Sequence, residues 1–155
     1  MNKQKNSFDS VLDALLDTNK EFPHRYLTLF SDIGPLELQT VLDVWPRVDL
    51  KRKQTLLEGL ESLIDNDTLV NFDDFARPLL ADPEAEVRTR ALHLLAEYDN
   101  ENFIPKYLTM LKSDSDANVR AQVANNLGFF VAQGELEEIS EKTYGEVMAG
   151  LLESA

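Results

Sequence analysis

The sequence predicts an all-α protein made of paired helices, and three observations support that fold class. A segment recurs 32 residues further along the chain, which indicates an internal repeat. In both copies the apolar residues follow the 3.6-residue period of an α-helix. No stretch alternates apolar and polar residues for long enough to form a strand. We therefore expect helices along the whole chain of 155 residues.

The N-terminal part is expected to form capping helices over residues 7–34, after a polar arm of residues 1–6. Ser7 is a candidate cap for the first helix, and apolar residues follow it at helical spacing. A second, short helix is predicted over residues 23–30. The apolar residues of the first helix are Phe8, Val11, Leu12, Leu15 and Leu16.

Residues 35–134 are predicted to form helical repeats. Pro35 begins a helix that ends near Trp45, and Asp49 begins the next one. Two further helices are predicted over residues 69–80 and 102–112, each followed by an aspartate-containing turn. Every one of these turns introduces the second helix of a pair.

The repeat is clearest at these turns, where residues 82–88 (DPEAEVR) recur as residues 114–120 (DSDANVR). Asp82 can accept hydrogen bonds from the free amides of a first helical turn, and Pro83 is predicted to occupy the first helical position. A weaker copy begins at Arg52, where an arginine replaces an apolar residue. The apolar stripes of the two clear second helices are Val87, Ala91, Leu94, Leu95 and Tyr98, then Val119, Val123, Leu127, Phe130 and Val131.

The end of the sequence predicts one more helix. Gly134 is a candidate stop for the preceding helix, and residues 139–155 are expected to form a terminal helix that is the first half of a further repeat. Val147, Leu151 and Leu152 would need a neighbouring helix to bury them. We therefore favour the interpretation that the chain is the front piece of a longer protein over a terminal cap.

Paired helices with a period in the thirties and an Asp-Pro turn resemble HEAT repeats, most closely the bacterial, bilin-lyase-type variety. The resemblance covers residues 69–131 well and residues 36–63 loosely. Trp45 with Pro46, and residues 127–131 and 134–136, also resemble the N-terminal region of a group of bacterial HEAT-repeat proteins. This resemblance implies a right-handed α-α superhelix, an armadillo-like solenoid of about three helix pairs plus flanking helices, with a scaffold role and no activity. Its structural repeat signature is Asp82, Pro83, Val87, Arg88, Asp114, Val119 and Arg120.

For the arginines of this signature the resemblance implies a structural role. Arg88 and Arg120 flank the apolar stripes on the helical wheel. A guanidinium in that position can lie across the seam and bond to a carboxylate or carbonyl of a neighbouring turn. We therefore expect both side chains to hold the repeats together rather than to bind a ligand.

Composition and charge exclude several classes of function. The chain has no cysteine, and therefore no disulfide framework and no thiolate chemistry. No apolar run reaches the length of a secretory signal or a membrane span, so we expect a cytoplasmic protein without a membrane partner. Nucleic acid would need clustered Lys and Arg, whereas the net charge is −13. The basic run at residues 51–53, interpreted as a solvated face, precedes residues 54–86, which carry nine acidic residues, one Arg and a net charge of −8.

No catalytic, cofactor-binding or metal-binding residue is predicted, and we expect that the protein is not an enzyme. His24 and His93 each lack a second ligand at helical spacing, and no serine-hydrolase elbow or phosphate loop is present. Asp114 begins like a calcium loop, but Val119 stands where the turn needs Gly and Asn125 where a Glu should close the shell. An acidic cluster that we interpret as a solvated loop, rather than a weak cation site, contains Asp65, Asp67, Asp73 and Asp74.

The surface is the remaining candidate for function. Second helices of stacked pairs usually line the concave, binding face. We predict a non-catalytic scaffold or adaptor that binds there a protein or peptide, with positive charge toward its acidic end, or another region of a longer parent chain. The alternatives are a bilin-lyase-like enzyme subunit acting on a tetrapyrrole-bearing protein, prompted by the repeat type alone, and a DNA-binding protein, which the charge opposes. The candidate concave residues are Gln54, Glu58, Glu61, Thr89, His93 and Asn125.

Overall fold

The computed structural model describes residues 7–98, 100–135 and 141–154. Within these ranges every regular element is a helix and no strand occurs, so the prediction of an all-α protein is confirmed. The predicted arm of residues 1–6 lies outside the described residues. The α-helices are α1 (Ser7–Leu16), α2 (Pro35–Val44), α3 (Leu50–Asn66), α4 (Asp73–Leu79), α5 (Ala85–Leu94), α6 (Ile104–Ser113), α7 (Ala117–Glu135) and α8 (Glu141–Ser154).

The chain forms two compact units, which meet in sequence between Leu79 and Leu80. Unit 1 contains α1 to α4, together with two 3-10 helices at His24–Phe30 and Trp45–Arg47. Unit 2 contains α5 to α8 and a 3-10 helix at Glu101–Phe103. The predicted helix pair around the Asp82 turn is thus divided, with α4 in one unit and α5 in the other.

Aromatic rings form the centre of unit 1. The Phe30 ring lies 4.8 Å from the Phe75 ring and 5.9 Å from the Phe8 ring, measured between centroids. Trp45 meets the Phe75 ring edge-on at 5.8 Å. These four side chains are buried, and each comes from a different helix. Their packing therefore supplies the apolar burial that holds the short helices of this unit together.

The basic run at residues 51–53 is not the solvated face that the sequence suggested. Only Lys51 is exposed, whereas Arg52 and Lys53 retain 9% and 7% of their accessible surface. The Arg52 Nη2 donates to the carbonyl oxygen of Asp17 at 2.6 Å and to that of Lys20. The Lys53 ammonium lies 5.2 Å from the centroid of the Trp45 ring. Backbone carbonyls and an aromatic face therefore replace water around these two charges.

Helix α4 begins at Asp73, four residues after the predicted start of residues 69–80. The Asp67 carboxylate accepts a hydrogen bond from the Leu69 amide at 2.8 Å, and the Asn71 side chain accepts one from the Asp73 amide at 2.9 Å. Each of these bonds closes a side-chain turn that competes with the helix. Leu69 is consequently 87% exposed and lies outside the core.

In unit 2, helix α7 contacts α5, α6 and α8, and α6 also contacts α8. The predicted apolar stripes of α5 and α7 form its core. The fully or almost fully buried members are Val87, Ala91, Leu94, Leu95, Val119, Val123, Leu127 and Phe130. Tyr98 and Val131 are half-buried. The helical period therefore identified the core of this unit correctly.

The last two helices differ in detail from the prediction. Helix α7 passes through Gly134, the predicted stop, and extends to Glu135. Helix α8 begins at Glu141, and the predicted start at residue 139 lies outside the described residues. Val147 is fully buried, and a Cβ added to Gly150 would overlap the Leu108 side chain. Helix α8 therefore packs closely on α6.

Candidate functional site

The two copies of the recurring segment, residues 82–88 and 114–120, are joined by an ion pair between Arg88 on α5 and Asp114 in the turn before α7. Arg88 Nε and Nη2 donate to the two carboxylate oxygens of Asp114, each at 2.9 Å. The side chains retain 12% and 8% of their accessible surface. This two-pronged geometry is the strongest form of an arginine–carboxylate contact. Arg88 thus bonds to the carboxylate of the turn before α7.

Both arginines of the repeat signature also bind the backbone of their own turn. Arg88 Nη1 donates to the Asp82 carbonyl oxygen at 2.9 Å, and Arg120 Nη1 donates to the Asp114 carbonyl oxygen at 2.6 Å. In each case donor and acceptor are six residues apart. The two copies of the segment therefore share this hydrogen bond as well as their sequence pattern.

The aspartates of the signature form hydrogen bonds in the turn that precedes each helix, whereas the prediction placed these bonds in the first turn of the helix. Helix α5 begins at Ala85, so Pro83 does not occupy its first position. Asp82 accepts a hydrogen bond from the Glu84 amide at 2.9 Å, and Asp114 accepts the equivalent bond from the Asp116 amide at 2.9 Å. Each carboxylate thus shapes the turn before the helix rather than the first turn of the helix itself.

Asp116 is the residue that caps α7. Its Oδ1 accepts hydrogen bonds from the amides of Asn118 at 2.8 Å and Val119 at 3.1 Å. Its carbonyl oxygen accepts the amide of Arg120 at 3.1 Å. These contacts define an N-cap and account for the calcium-loop-like spacing of acidic residues in this turn.

Electrostatics favour the ionised form of Asp114. Burial alone would raise the pKa of this carboxyl group. The hydrogen bonds from Arg88 and from the Asp116 amide, with the positive charges of Arg88 and Arg120, outweigh that effect and lower the pKa below its ordinary value. The carboxylate is therefore charged at neutral pH, and the ion pair with Arg88 is fully formed.

The candidate concave residues are divided between the two units. Gln54, Glu58 and Glu61 are spaced at i, i+4 and i+7 on α3, and therefore share one face of that helix in unit 1. Glu58 is exposed, and the other two are half-buried. This face carries two of the carboxylates that make residues 54–86 acidic.

The other three candidates belong to unit 2. Thr89 donates its hydroxyl to the Ala85 carbonyl oxygen at 3.0 Å, within its own helix. His93 is exposed, and its Nε2 lies 3.0 Å from Gln122 Oε1 on α7. Asn125 is exposed on the same side of α7 as Gln122, three residues away. The outward faces of α5 and α7 are therefore joined at His93 and Gln122, and we call the surface that carries Thr89, His93, Gln122 and Asn125 the α5–α7 face.

Behind the α5–α7 face lies a polar residue that the sequence analysis missed. Asn126 is 2% exposed, and its Nδ2 donates to the Leu92 carbonyl oxygen at 2.9 Å and to the Tyr107 hydroxyl at 3.3 Å. Its Oδ1 accepts a hydrogen bond from Gln122 at 3.0 Å. A network thus leads from buried Tyr107 to exposed His93. The sequence offered one sign of this buried network, which is the position of Asn126 next to Leu127 of the apolar stripe.

The described helices also leave a cavity of about 680 Å³ in unit 2. Its lining comes from α6, α7 and α8, and consists of Leu111, Lys112, Arg120, Ala121, Ala124 and Glu153. This volume falls within the range of roughly 300–1,000 Å³ that ligand pockets usually have. Arg120 therefore differs from Arg88, since it faces an open space instead of a neighbouring turn.

No group of three or more His, Asp or Glu side chains among the described residues is placed to hold a metal ion. No described helix combines the length and apolar character needed to cross a membrane. Between α3 and α4, Asp67 accepts a hydrogen bond from the Leu69 amide, and in α4 Asp74 pairs with Arg77.

Comparison with protein-family models, with curated proteins and with solved structures gives no match. The geometry of the described residues alone is therefore the basis for the functional proposal.

Proposed function

We propose that this protein is a non-catalytic helical-repeat scaffold that binds a protein or peptide partner. The observation that carries the proposal is the contact between His93 on α5 and Gln122 on α7, which joins the outward faces of the two helices. Extended surfaces built from successive second helices are what helical-repeat proteins use for binding.

The interior of unit 2 supports such a role because it fixes the helices that present the α5–α7 face. Arg88 connects α5 to the turn before α7, and Asn126 connects α7 to the backbone of α5. A surface held in place before binding loses less conformational entropy when a partner arrives. Rigid support of this kind favours a docking surface.

The α3 face of unit 1 favours positive charge in the partner. Glu58 and Glu61 carry two negative charges on one side of the helix, and the surrounding residues 54–86 have a net charge of −8. Complementary charge raises the rate of encounter and disfavours acidic partners. We therefore propose that a basic segment of the partner contacts this face.

A site-specific crosslinking experiment tests the proposal. A photoreactive residue is placed at Asn125, and as a matched control at Lys106, which is exposed on α6. The captured protein is then purified, and its affinity is measured for the parent, His93→Glu, Asn125→Arg and Lys106→Glu chains. We expect capture from position 125 and at least tenfold weaker binding by the first two variants, with Lys106→Glu unchanged. Equal binding by all four chains would contradict the proposal.

A further inference from the structure

Arg88 and Arg120 occupy equivalent positions of the recurring segment, and among the described residues only Arg88 binds a carboxylate. Both use Nη1 to bind the carbonyl oxygen of the aspartate six residues earlier. Arg88 then uses Nε and Nη2 to hold the Asp114 carboxylate, with both distances 2.9 Å. The protein therefore contains its own example of what this arginine geometry binds.

In the part of the chain that the structure describes, no carboxylate accepts a hydrogen bond from the corresponding donors of Arg120. Within residues 7–98, 100–135 and 141–154, neither its Nε nor its Nη2 makes a hydrogen bond or an ion pair. The Arg120 Nη1 bond to the Asp114 carbonyl oxygen is nevertheless the counterpart of the Arg88 bond to the Asp82 carbonyl oxygen. The Nε and Nη2 of Arg120 belong to one planar guanidinium, which presents two parallel N–H donors.

Arg120 lines the 680 Å³ cavity between α6, α7 and α8. Leu111, Ala121 and Ala124 supply apolar lining beside the guanidinium, and Lys112 adds a second cation. The Lys112 Nζ lies 3.4 Å from Glu153 Oε2, but both side chains are more than 60% exposed. An exposed pair of this kind contributes little stability, so Lys112 can exchange Glu153 for another carboxylate.

We propose that the Arg120 cavity binds the carboxylate of an aspartate or glutamate side chain in a peptide segment of a partner protein. Arg120 would hold the carboxylate through two parallel hydrogen bonds, as Arg88 holds Asp114. The apolar lining would receive the neighbouring side chain of the peptide, because the cavity is much larger than one carboxylate. This site uses residues other than those of the α5–α7 face and does not depend on the proposed function.

The test uses the full chain and pairs of fluorescent twelve-residue peptides with capped ends. Each pair has one central Asp or Asn, flanked by leucines within an otherwise neutral sequence. The capped ends exclude a terminal carboxylate as the source of binding. Affinities are measured for the parent and for Arg120→Lys, Ala124→Glu and Arg90→Gln chains, with folding checked by circular dichroism.

We expect the Asp peptide to bind the parent at least tenfold more tightly than its Asn partner. Arg120→Lys keeps the positive charge but lacks the two parallel N–H donors of the guanidinium, and should lose at least tenfold in affinity. Ala124→Glu places a carboxylate four residues from Arg120 on the same helix face, and should block the peptide without loss of folding. Arg90→Gln is the matched control, since Arg90 pairs with Glu86 outside the cavity, and should bind as the parent does.

Three results would overturn the proposal. The first is equal binding, or no binding, of the Asp and Asn peptides. The second is parent-like affinity in a folded Ala124→Glu chain, which would place the peptide elsewhere. The third is displacement of the peptide by equimolar inorganic phosphate, which would show a general anion site.

Discussion

Arg88 and Asp114 are 26 residues apart in the sequence and are joined by two hydrogen bonds of 2.9 Å in a nearly dry environment. The same arginine holds the carbonyl oxygen of Asp82. One side chain thus fixes the turn before α5 and the turn before α7. The spacing of the two helices depends on this contact as well as on apolar packing.

We predict that Arg88→Ala lowers the free energy of unfolding by about 3 kcal/mol, because it leaves the Asp114 carboxylate buried without its cation. Arg120→Ala removes one hydrogen bond and should cost about 1 kcal/mol. Arg90→Ala removes the more exposed pair with Glu86, and should cost about 0.5 kcal/mol. Urea denaturation of the three variants measures these values, and an Arg88→Ala effect no larger than that of Arg90→Ala would refute the structural role of Arg88.

The same ion pair predicts a pH dependence. The pKa of Asp114 is lowered in the folded protein, so its contribution to stability is complete above the unfolded pKa of about 3.9 and is lost as the pH falls through the lower folded value. Asp114→Asn keeps an acceptor for the Asp116 amide but has no charge. We expect the stability difference between parent and variant to be largest at pH 7 and to shrink below pH ~4. Urea titrations at pH 7, 5 and 3 measure the free energy of unfolding of both chains. A difference between them that stays constant with pH would exclude a lowered pKa for Asp114.

Helix type and core were predictable from the sequence because the apolar period is a local property of each helix. The stripe from Val87 to Leu95 is an example, since all its predicted members are buried. Helix starts were less predictable, because a carboxylate or amide side chain can close a turn instead of capping a helix. Asp82 and Asn71 both do so, and α5 and α4 begin later than expected.

The contacts of the candidate site were predictable from the sequence only where they belong to the recurring segment. The signature at Arg88 is recurrent in sequence, so its contact with a neighbouring turn could be expected. The buried contacts of Arg52 and Asn126 join residues 32 to 35 positions apart and follow no local pattern. Their burial depends on which backbone carbonyls the fold brings near them, and a helical wheel does not contain that information.

Arg52 in unit 1 provides a test of how much such a buried contact between distant residues contributes to stability. Its guanidinium holds the backbone of Asp17 and Lys20 and lies 5.8 Å from the Phe22 ring. We expect Arg52→Ala to lower the free energy of unfolding by about 2 kcal/mol, because two carbonyl groups lose a charged donor. Lys51→Ala, at the exposed neighbouring position, should change it by less than about 0.5 kcal/mol. Thermal unfolding of the two variants compares them directly, and equal melting temperatures would be inconsistent with the buried contacts.

Gly128 offers a stabilising substitution. It lies inside α7, and a Cβ added there would meet no atom within 4 Å. Gly128→Ala should therefore raise the free energy of unfolding by about 0.5–1 kcal/mol, since alanine loses less backbone entropy in a helix. At Gly59 in α3 the added Cβ would lie 3.0 Å from a methyl group of buried Leu27. Gly59→Ala should therefore stabilise the protein less than Gly128→Ala does. Urea denaturation measures both variants, and a Gly128→Ala chain no more stable than the parent would contradict the presence of free space around the added Cβ at Gly128.

The final prediction concerns Asn126 and its neighbour Asn125, which have the same side chain in opposite environments. Asn126→Ala removes one hydrogen bond to the Leu92 carbonyl oxygen and one to the Tyr107 hydroxyl inside unit 2, and should cost about 2 kcal/mol. Asn126→Asp should cost more, because a carboxylate cannot donate to that carbonyl group and would be buried with its charge. Asn125→Ala, at an exposed position, should stay within about 0.5 kcal/mol of the parent. Urea denaturation of the three chains measures the order, and equal stabilities of the two alanine variants would show that the buried network does not hold α7 to α5.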